Sequence, residues 1–418
     1  MNKYINYLMT LFAFVFPLSI AGANLILGIM SILWILEGNF KEKMDLLKKD
    51  KIFLSLLGIS ILIIISTLLS KSYNNGFLIN TGLKNEFDFV FRHLLWSDVL
   101  YMIFSTSIKK YYLDKIISSF LIAMFINELI SYSIFFNLID INYLKKIGLL
   151  YKLAYPNNPS PMHHSFYSLY LAITILILLD KLIRHNKTEN FILKVGMFLF
   201  LLSATTNLFI NGGRTGQIAI ILGFAIYIIT YFKTNIKYLF FSLIISLGVL
   251  ISAYSFSPVF KQRINLAKNS LISVYKYQNF CSSWGQRIGM NIVGFNYLFQ
   301  NPKNFIFGGF AGEAKKNYLT YGNTHYKKIF HCFKNQQHLH NQYLQLWIDG
   351  GIFAFILILY LLYNLLILKT EIPSLQYALI AVISFSFISD VMLYRLQTAF
   401  LLLFIMSVIN KYSIKKEL

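Results

Sequence analysis

A few polar residues in a very apolar chain have the types and spacing for chemistry on an anion. His338 and His340 close a long basic segment, and Asn341 follows at the start of an apolar run. A histidine placed where water meets lipid changes protonation near neutral pH and can take or give a proton. Being two apart, the two imidazoles point in different directions on a helix, so at most one is central. Upstream, Asn211-Gly212-Gly213-Arg214-Thr215-Gly216 lies between two apolar runs. The glycines permit a tight turn. The helix that follows starts with free N–H groups and the positive end of its dipole. Arg214 adds a bidentate donor fork there. Together these make a place for a phosphate or diphosphate. A third element, Ser283-Trp284-Gly285-Gln286-Arg287, opens a stretch in which Ile288, Ile292, Phe295 and Phe299 recur at helical spacing. That pattern predicts an amphipathic helix with Arg287 on its polar side.

Each element has a plainer reading. An arginine at a helix end snorkels to lipid headgroups, and a lone interfacial histidine needs no ligand. His325, His331, Cys332, His338 and His340 crowd together in sequence, yet their spacings fit no standard zinc signature, and no metal site is expected. Asp390 and Arg395 flank a turn and are expected to form a structural ion pair. Pro156-Asn157-Asn158-Pro159-Ser160-Pro161-Met162-His163-His164 reads as a stiff loop that helps close a site without chemistry of its own. Glu128 and Asp180 are intramembrane acids, hence functional candidates, although Asp180 adjoins Lys181 and reads as structural.

The elements that must position these groups are membrane spans. Of 418 residues, 56% are hydrophobic and 13% charged, about half the charged fraction of a soluble protein. Spans of about 20 apolar residues are expected at 52–69, 87–106, 116–138, 166–182, 191–210, 215–231, 238–256, 343–368, 375–393 and 396–409. The run 4–36, broken by Pro17 and Gly22, reads as a helical hairpin. The N-terminus lacks a small-residue cleavage site and reads as retained. The fold class is therefore all-α and polytopic, with about twelve transmembrane helices. Residues 1–256 hold spans one to nine, 257–340 a large loop with amphipathic helices, and 341–418 the last three spans and a tail.

Lysine and arginine set the orientation. Lys41, Lys43, Lys48, Lys49 and Lys51, then Lys109, Lys110 and Lys115, then Lys181, Arg184, Lys187 and Lys194, then Lys233 and Lys237 mark one set of alternate loops. With Lys411, Lys415 and Lys416 these belong in the cytoplasm, together with both termini. The connections near 72–86, 142–164 and 211–213 then face outward, as does the large loop. That loop carries eleven Lys and Arg against one acid, Glu313; loops of this length translocate regardless of charge. Its excess charge is either compositional bias or a funnel for an anionic substrate. Net charge +21 with so many apolar runs favours lipid headgroups or phosphorylated substrates over nucleic acid. Two cysteines, Cys281 and Cys332, leave open whether a disulfide joins them.

Taken in this order, the residues resemble the O-antigen ligase family of polytopic glycosyltransferases, whose superfamily includes O-antigen polymerases and pilin oligosaccharyltransferases. The resemblance rests on Gly213-Arg214-Thr215-Gly216 at a helix start, on Trp284 and Arg287 ahead of Asn301-Pro302 and Gly308-Gly309, and on His340-Asn341 with Gly351 beyond. It covers the span arrangement and the loop before the last three spans. Ala354 departs from it, where the ligase pattern often has threonine. The resemblance implies a GT-C-like enzyme of the bacterial inner membrane, with its site facing the periplasm and no cofactor. Such an enzyme moves a glycan from undecaprenyl diphosphate to a sugar hydroxyl of lipid A–core in lipopolysaccharide biosynthesis. It implies inversion without a metal, His340 as general base, Arg214 and Arg287 on the diphosphate, and His338, Asn341, Gly213 and Thr215 in substrate binding. Polymerase and pilin transferase are the near alternatives. A lipid-linked glycan transporter is the alternative of a different class, and clustering of the polar residues at one face argues against it.

Overall fold

The structure is a computed structural model. It describes residues 2–69, 94–139, 159–184, 191–233, 258–311, 313–334, 336 and 338–414, with scattered positions between 235 and 256. Most of the expected span 238–256, the start of 87–106, and the stretches 70–93, 140–158, 185–190 and 415–418 lie outside the described residues.

Among the described residues the chain is helical, with an isolated bridge between Thr370 and Ser413 as its one extended pairing. The expected hairpin at 4–36 forms as α1 (Asn2–Val15) and α2 (Ile20–Glu37). It breaks at Pro17, and α2 is capped by Ser19, whose hydroxyl accepts the Gly22 N–H. An amphipathic α3 (Phe40–Lys49) leads to α4 (Lys51–Leu68). Asp50 caps α4 by accepting the N–H groups of Ile52 and Phe53. Next come α5 (Trp96–Ser107), α6 (Leu113–Phe135), α7 (His164–Arg184), α8 (Phe191–Ile210) and α9 (Arg214–Tyr231). The large loop folds into α10 (Pro258–Tyr277), α11 (Ser283–Phe299), α12 (Pro302–Phe307), α13 (Ala314–His325) and α14 (Lys327–Phe330). The chain finishes with α15 (Gln342–Ile367), α16 (Pro373–Ser389) and α17 (Leu396–Lys411).

Seven described helices are long and apolar enough to cross a membrane: α2, α4, the run Lys110–Phe135 that contains α6, α7, α8, α9 and α15. Two shorter apolar helices, α16 and α17, pack with them. The chain is thus a multi-pass membrane protein. Helix α7 is the most enclosed of the seven and α8 the least, so α7 is a central post and α8 turns most of its apolar surface outward. Among the described residues the most extensive pairings are α9 with α16 and α7, α15 with α4, and α1 with α6. At the end of the bundle where α4 begins, Asp50 also accepts from Tyr101 of α5 (3.1 Å) and Asn410 of α17 (2.8 Å). That end carries Lys48, Lys49, Lys181, Arg184 and Lys411 near helix termini. The other end gathers the starts of α7, α9, α15 and α17 and the finish of α16.

The loop helices have their own small core. Met290, Val293, Tyr297, Leu298, Tyr318 and Phe330 pack with Leu344, Trp347 and Ile348 of α15. A kink in α15 makes this docking specific. Gly351 takes φ +74°, a left-handed conformation inside the helix, which releases carbonyls that would otherwise receive helical N–H groups. The Ile348 carbonyl instead accepts the Gly309 N–H at 2.7 Å. The Asp349 carbonyl accepts the Ser66 hydroxyl of α4 at 2.5 Å, and Ser66 in turn accepts the Ala311 N–H at 2.8 Å. The chain after α12, with Gly308 also at positive φ (+71°), is therefore stitched to α4 and α15 at once. The Trp347 indole completes the joint by donating to the Phe305 carbonyl at 2.8 Å.

Candidate active site

Helix α15 starts where the loop domain ends. Asn341 is its cap: its side-chain oxygen accepts the Leu344 N–H at 3.2 Å, and its amide donates to Asn291 of α11 at 3.3 Å. The preceding residue, His340, sits at φ +51°, an uncommon conformation for a side-chain-bearing residue. The turn aims its ring across the bundle, where Nδ1 lies 2.9 Å from Oδ1 of Asp390. Asp390 itself follows the last turn of α16, fixed by its N–H to the Ser386 carbonyl (3.0 Å) and by the Val391 N–H on its carboxylate (2.8 Å). The two side chains are 28% and 15% exposed, open enough for a ligand to reach the imidazole. Burial alone would push Asp390 up. The hydrogen bond and charge of His340, the Val391 N–H and the charge of Arg287 outweigh it and hold the carboxyl at about 2. Asp390 is thus a carboxylate at any working pH, and a carboxylate on Nδ1 leaves Nε2 for a substrate.

The arginines arrive from two directions. Gly213 and Gly216 let the start of α9 press against the start of α7. A Cβ on Gly213 would stand 2.4 Å from the His164 carbonyl, and one on Gly216 2.0 Å from the Ser168 carbonyl. The Ser168 hydroxyl accepts the Gly216 N–H at 3.1 Å. The sequence needs glycine here for close approach, in addition to the turn. Gln217 ties the turn back by donating to the Leu208 and Asn211 carbonyls (3.1 and 3.2 Å). Arg214, half-buried, is the first residue of α9. The next residue, Thr215, meets Ser389 at 3.4 Å between hydroxyl oxygens, one position before Asp390. Arg287 comes from α11 in the loop domain, and its charge acts on Asp390. The amphipathic helix expected from the periodicity is α11, capped by Ser282, whose hydroxyl accepts the Gly285 N–H at 3.1 Å.

A disulfide, Cys281–Cys332, anchors the chain just ahead of α11 to the segment that leads to the histidines. Beside it Gln286 donates to the Cys332 carbonyl at 2.9 Å, and Gln336 donates to Gln286 at 3.4 Å. The His331 Nε2 is 3.5 Å from each sulfur; both sulfurs are committed to the bridge. Behind His340, Gln345 accepts the Leu339 N–H at 3.1 Å and donates to Asp349 at 2.9 Å, and Tyr394 also donates to Asp349. The Gln342 side chain accepts the Leu393 N–H at 2.9 Å. These bonds lock the start of α15 to the turn after α16. His338 packs its ring edge-on to Tyr394, with centroids 5.7 Å apart. Burial, with the charge of Arg395, pushes His338 down to about 4 against the opposing pull of Asp390.

Arg214, Thr215, Gly213, Arg287, His338, His340 and Asn341 thus share one end of the bundle. Of the two histidines, His340 holds the carboxylate and His338 packs edge-on to Tyr394. Asn341 spends its side chain on the helix cap and on Asn291. The ion pair expected between Asp390 and Arg395 gives way to Asp390 with His340, because the turn at Met392–Tyr394 separates the former two while φ +51° brings His340 across. Asp390 was legible as an acid at the edge of a span, but not as the partner of a residue 50 positions away. His163 is also drawn in: its ring feels the charges of Asp390, Arg395 and His340.

No curated protein matches the chain. Residues 198–359 run from within α8, through Arg214, Arg287 and His340, to the middle of α15. That stretch matches the family model described as O-Antigen ligase.

Proposed function

We propose that this chain is an O-antigen ligase, transferring a glycan from undecaprenyl diphosphate to a sugar hydroxyl of lipid A–core. The observation that carries this reading is the His340–Asp390 pair within reach of the Arg287 charge and beside the Arg214 helix start. Asp390 holds Nδ1–H, so Nε2 of His340 accepts the proton of the attacking hydroxyl. The hydroxyl oxygen bonds to the anomeric carbon as the bond to the diphosphate oxygen breaks, which inverts that carbon. Undecaprenyl diphosphate leaves with the electron pair. Arg214, the N–H groups opening α9 and Arg287 meet its growing charge; two guanidinium groups make a metal unnecessary. Opening of the site toward the bacterial periplasm is supported by lysines and arginines near helix termini at the opposite end. The disulfide beside the site also supports it, since such bonds persist in oxidising compartments.

The test is transfer by purified protein in detergent with EDTA, using undecaprenyl-diphosphate-linked glycan with and without lipid A–core. Wild type should form product only when lipid A–core is present. His340→Ala and Asp390→Asn should lower the rate about 10²–10⁴-fold, and Arg214→Ala and Arg287→Ala should lower it with a raised donor KM. Lengthening of the lipid-linked glycan without lipid A–core would make the chain a polymerase. Normal transfer by His340→Ala would sink the assigned base.

A further inference from the structure

The segment 159–163 enters the site end ahead of α7 with a group that the mechanism above does not use. The segment is held firmly. Ser131 of α6 donates to the Pro159 carbonyl, and Ser160, fully buried, donates to the Met162 carbonyl. The carbonyl of His163 accepts the N–H groups of Phe166 (2.9 Å) and Tyr167 (3.0 Å), which ties its backbone into the first turn of α7. Its ring is clasped by His164 and Phe166, with centroids 4.4 and 4.9 Å away. Yet Nδ1 of His163 is buried without a hydrogen-bond partner among the described residues. A buried polar atom left so forfeits the hydrogen bonds it makes in water, and folded proteins keep few of them. Here the orphan nitrogen sits on a fixed ring, at the start of the helix that Gly213 and Gly216 press against, within range of the charges of His340 and Asp390.

We propose that His163 is a substrate-binding residue whose Nδ1 hydrogen-bonds a hydroxyl of the acceptor sugar, holding that sugar beside His340. The choice of a hydroxyl over the diphosphate follows from charge. Burial and the positive charge of Arg395 lower the proton affinity of His163 against the pull of Asp390. A neutral imidazole adds little to an anion site that two arginines already serve. It does suit an uncharged hydroxyl, as donor or acceptor according to tautomer. The acceptor is also the substrate that must lie against the base. This subsite rests on the transfer reaction proposed above.

The experiment is steady-state transfer by the full chain in detergent, varying lipid A–core at saturating donor and then the reverse. Wild type, His163→Ala, His163→Asn and His340→Ala are compared. Asparagine places an amide near the position of Nδ1. Loss of one hydrogen bond predicts an acceptor KM about tenfold higher in His163→Ala, an unchanged donor KM, and recovery of most of the loss in His163→Asn. Unchanged KM values in His163→Ala, or a rise confined to the donor, would overturn the subsite. So would equal losses in both variants with a lowered Tm, which would mark His163 as structural. Should only the lipid-linked glycan accept, the same comparison is read on that acceptor. Absence of transfer by wild type, or full activity in His340→Ala, would instead remove the transfer reading, and the subsite with it.

Discussion

His340 is held in a backbone conformation that a side-chain-bearing residue seldom adopts, at a cost of order 1 kcal/mol. The surroundings enforce it: Asn341 caps α15 on one side, Leu339 is tied to Gln345 on the other, and Asp390 takes the ring. His338, two residues away, has a different electrostatic fate. An unfolded histidine titrates near 6.5, whereas His338 is pushed down to about 4 by burial and Arg395. Between those values the unfolded chain binds more protons. The stabilising contribution is therefore complete above pH 6.5 and is lost as pH falls toward 4. Asp390, held at about 2, adds a loss of the same direction at still lower pH. Thermal unfolding in detergent should show Tm falling from pH 7 to 4.5, and His338→Gln should flatten that fall by on the order of 3 kcal/mol. An equally steep fall in the variant would place the sensitive group elsewhere.

At the scale of elements, the kink at Gly351 does the joining. A straight α15 would keep the Ile348 and Asp349 carbonyls for itself, leaving Gly309 and Ser66 without those acceptors. The loop helices would then have no fixed seat on the bundle, and Arg287 would lose its register with Asp390. Gly351→Ala tests this. The added Cβ would stand 2.1 Å from the Ile306 carbonyl, at a φ that alanine resists. The expected result is destabilisation of about 2 kcal/mol or more and strongly reduced transfer. Ala354→Thr, further along α15, serves as comparison for a substitution that introduces no positive φ. Wild-type Tm and transfer in Gly351→Ala would show that the kink is dispensable.

For the whole molecule the question is which end faces which compartment. The helix starts that build the site lie at one end and many basic termini at the other, and the disulfide lies with the site. Having two cysteines and no others, the wild-type chain can be probed directly. A membrane-impermeant thiol reagent applied to spheroplasts should label it only after mild reduction, and without permeabilising the membrane. Labelling without reduction would contradict the disulfide. Labelling that needs permeabilisation would invert the topology, and with it the periplasmic site.

The sequence by itself determined the helical membrane class, the hairpin at Pro17 and the amphipathic α11. These are carried by local signals: apolar run length, periodicity, and glycine, proline and capping residues acting within a few positions. Tertiary structure alone decided that Asp390 belongs to His340 rather than Arg395, that Gly213 and Gly216 serve helix contact, and that the Gly351 kink seats the loop helices. It also decided that Cys281 meets Cys332 and that the His163 ring comes within range of the Asp390 charge. Each of these joins positions tens to hundreds of residues apart. Such pairing depends on where packed helices end relative to one another, which the spacing within any one segment does not encode.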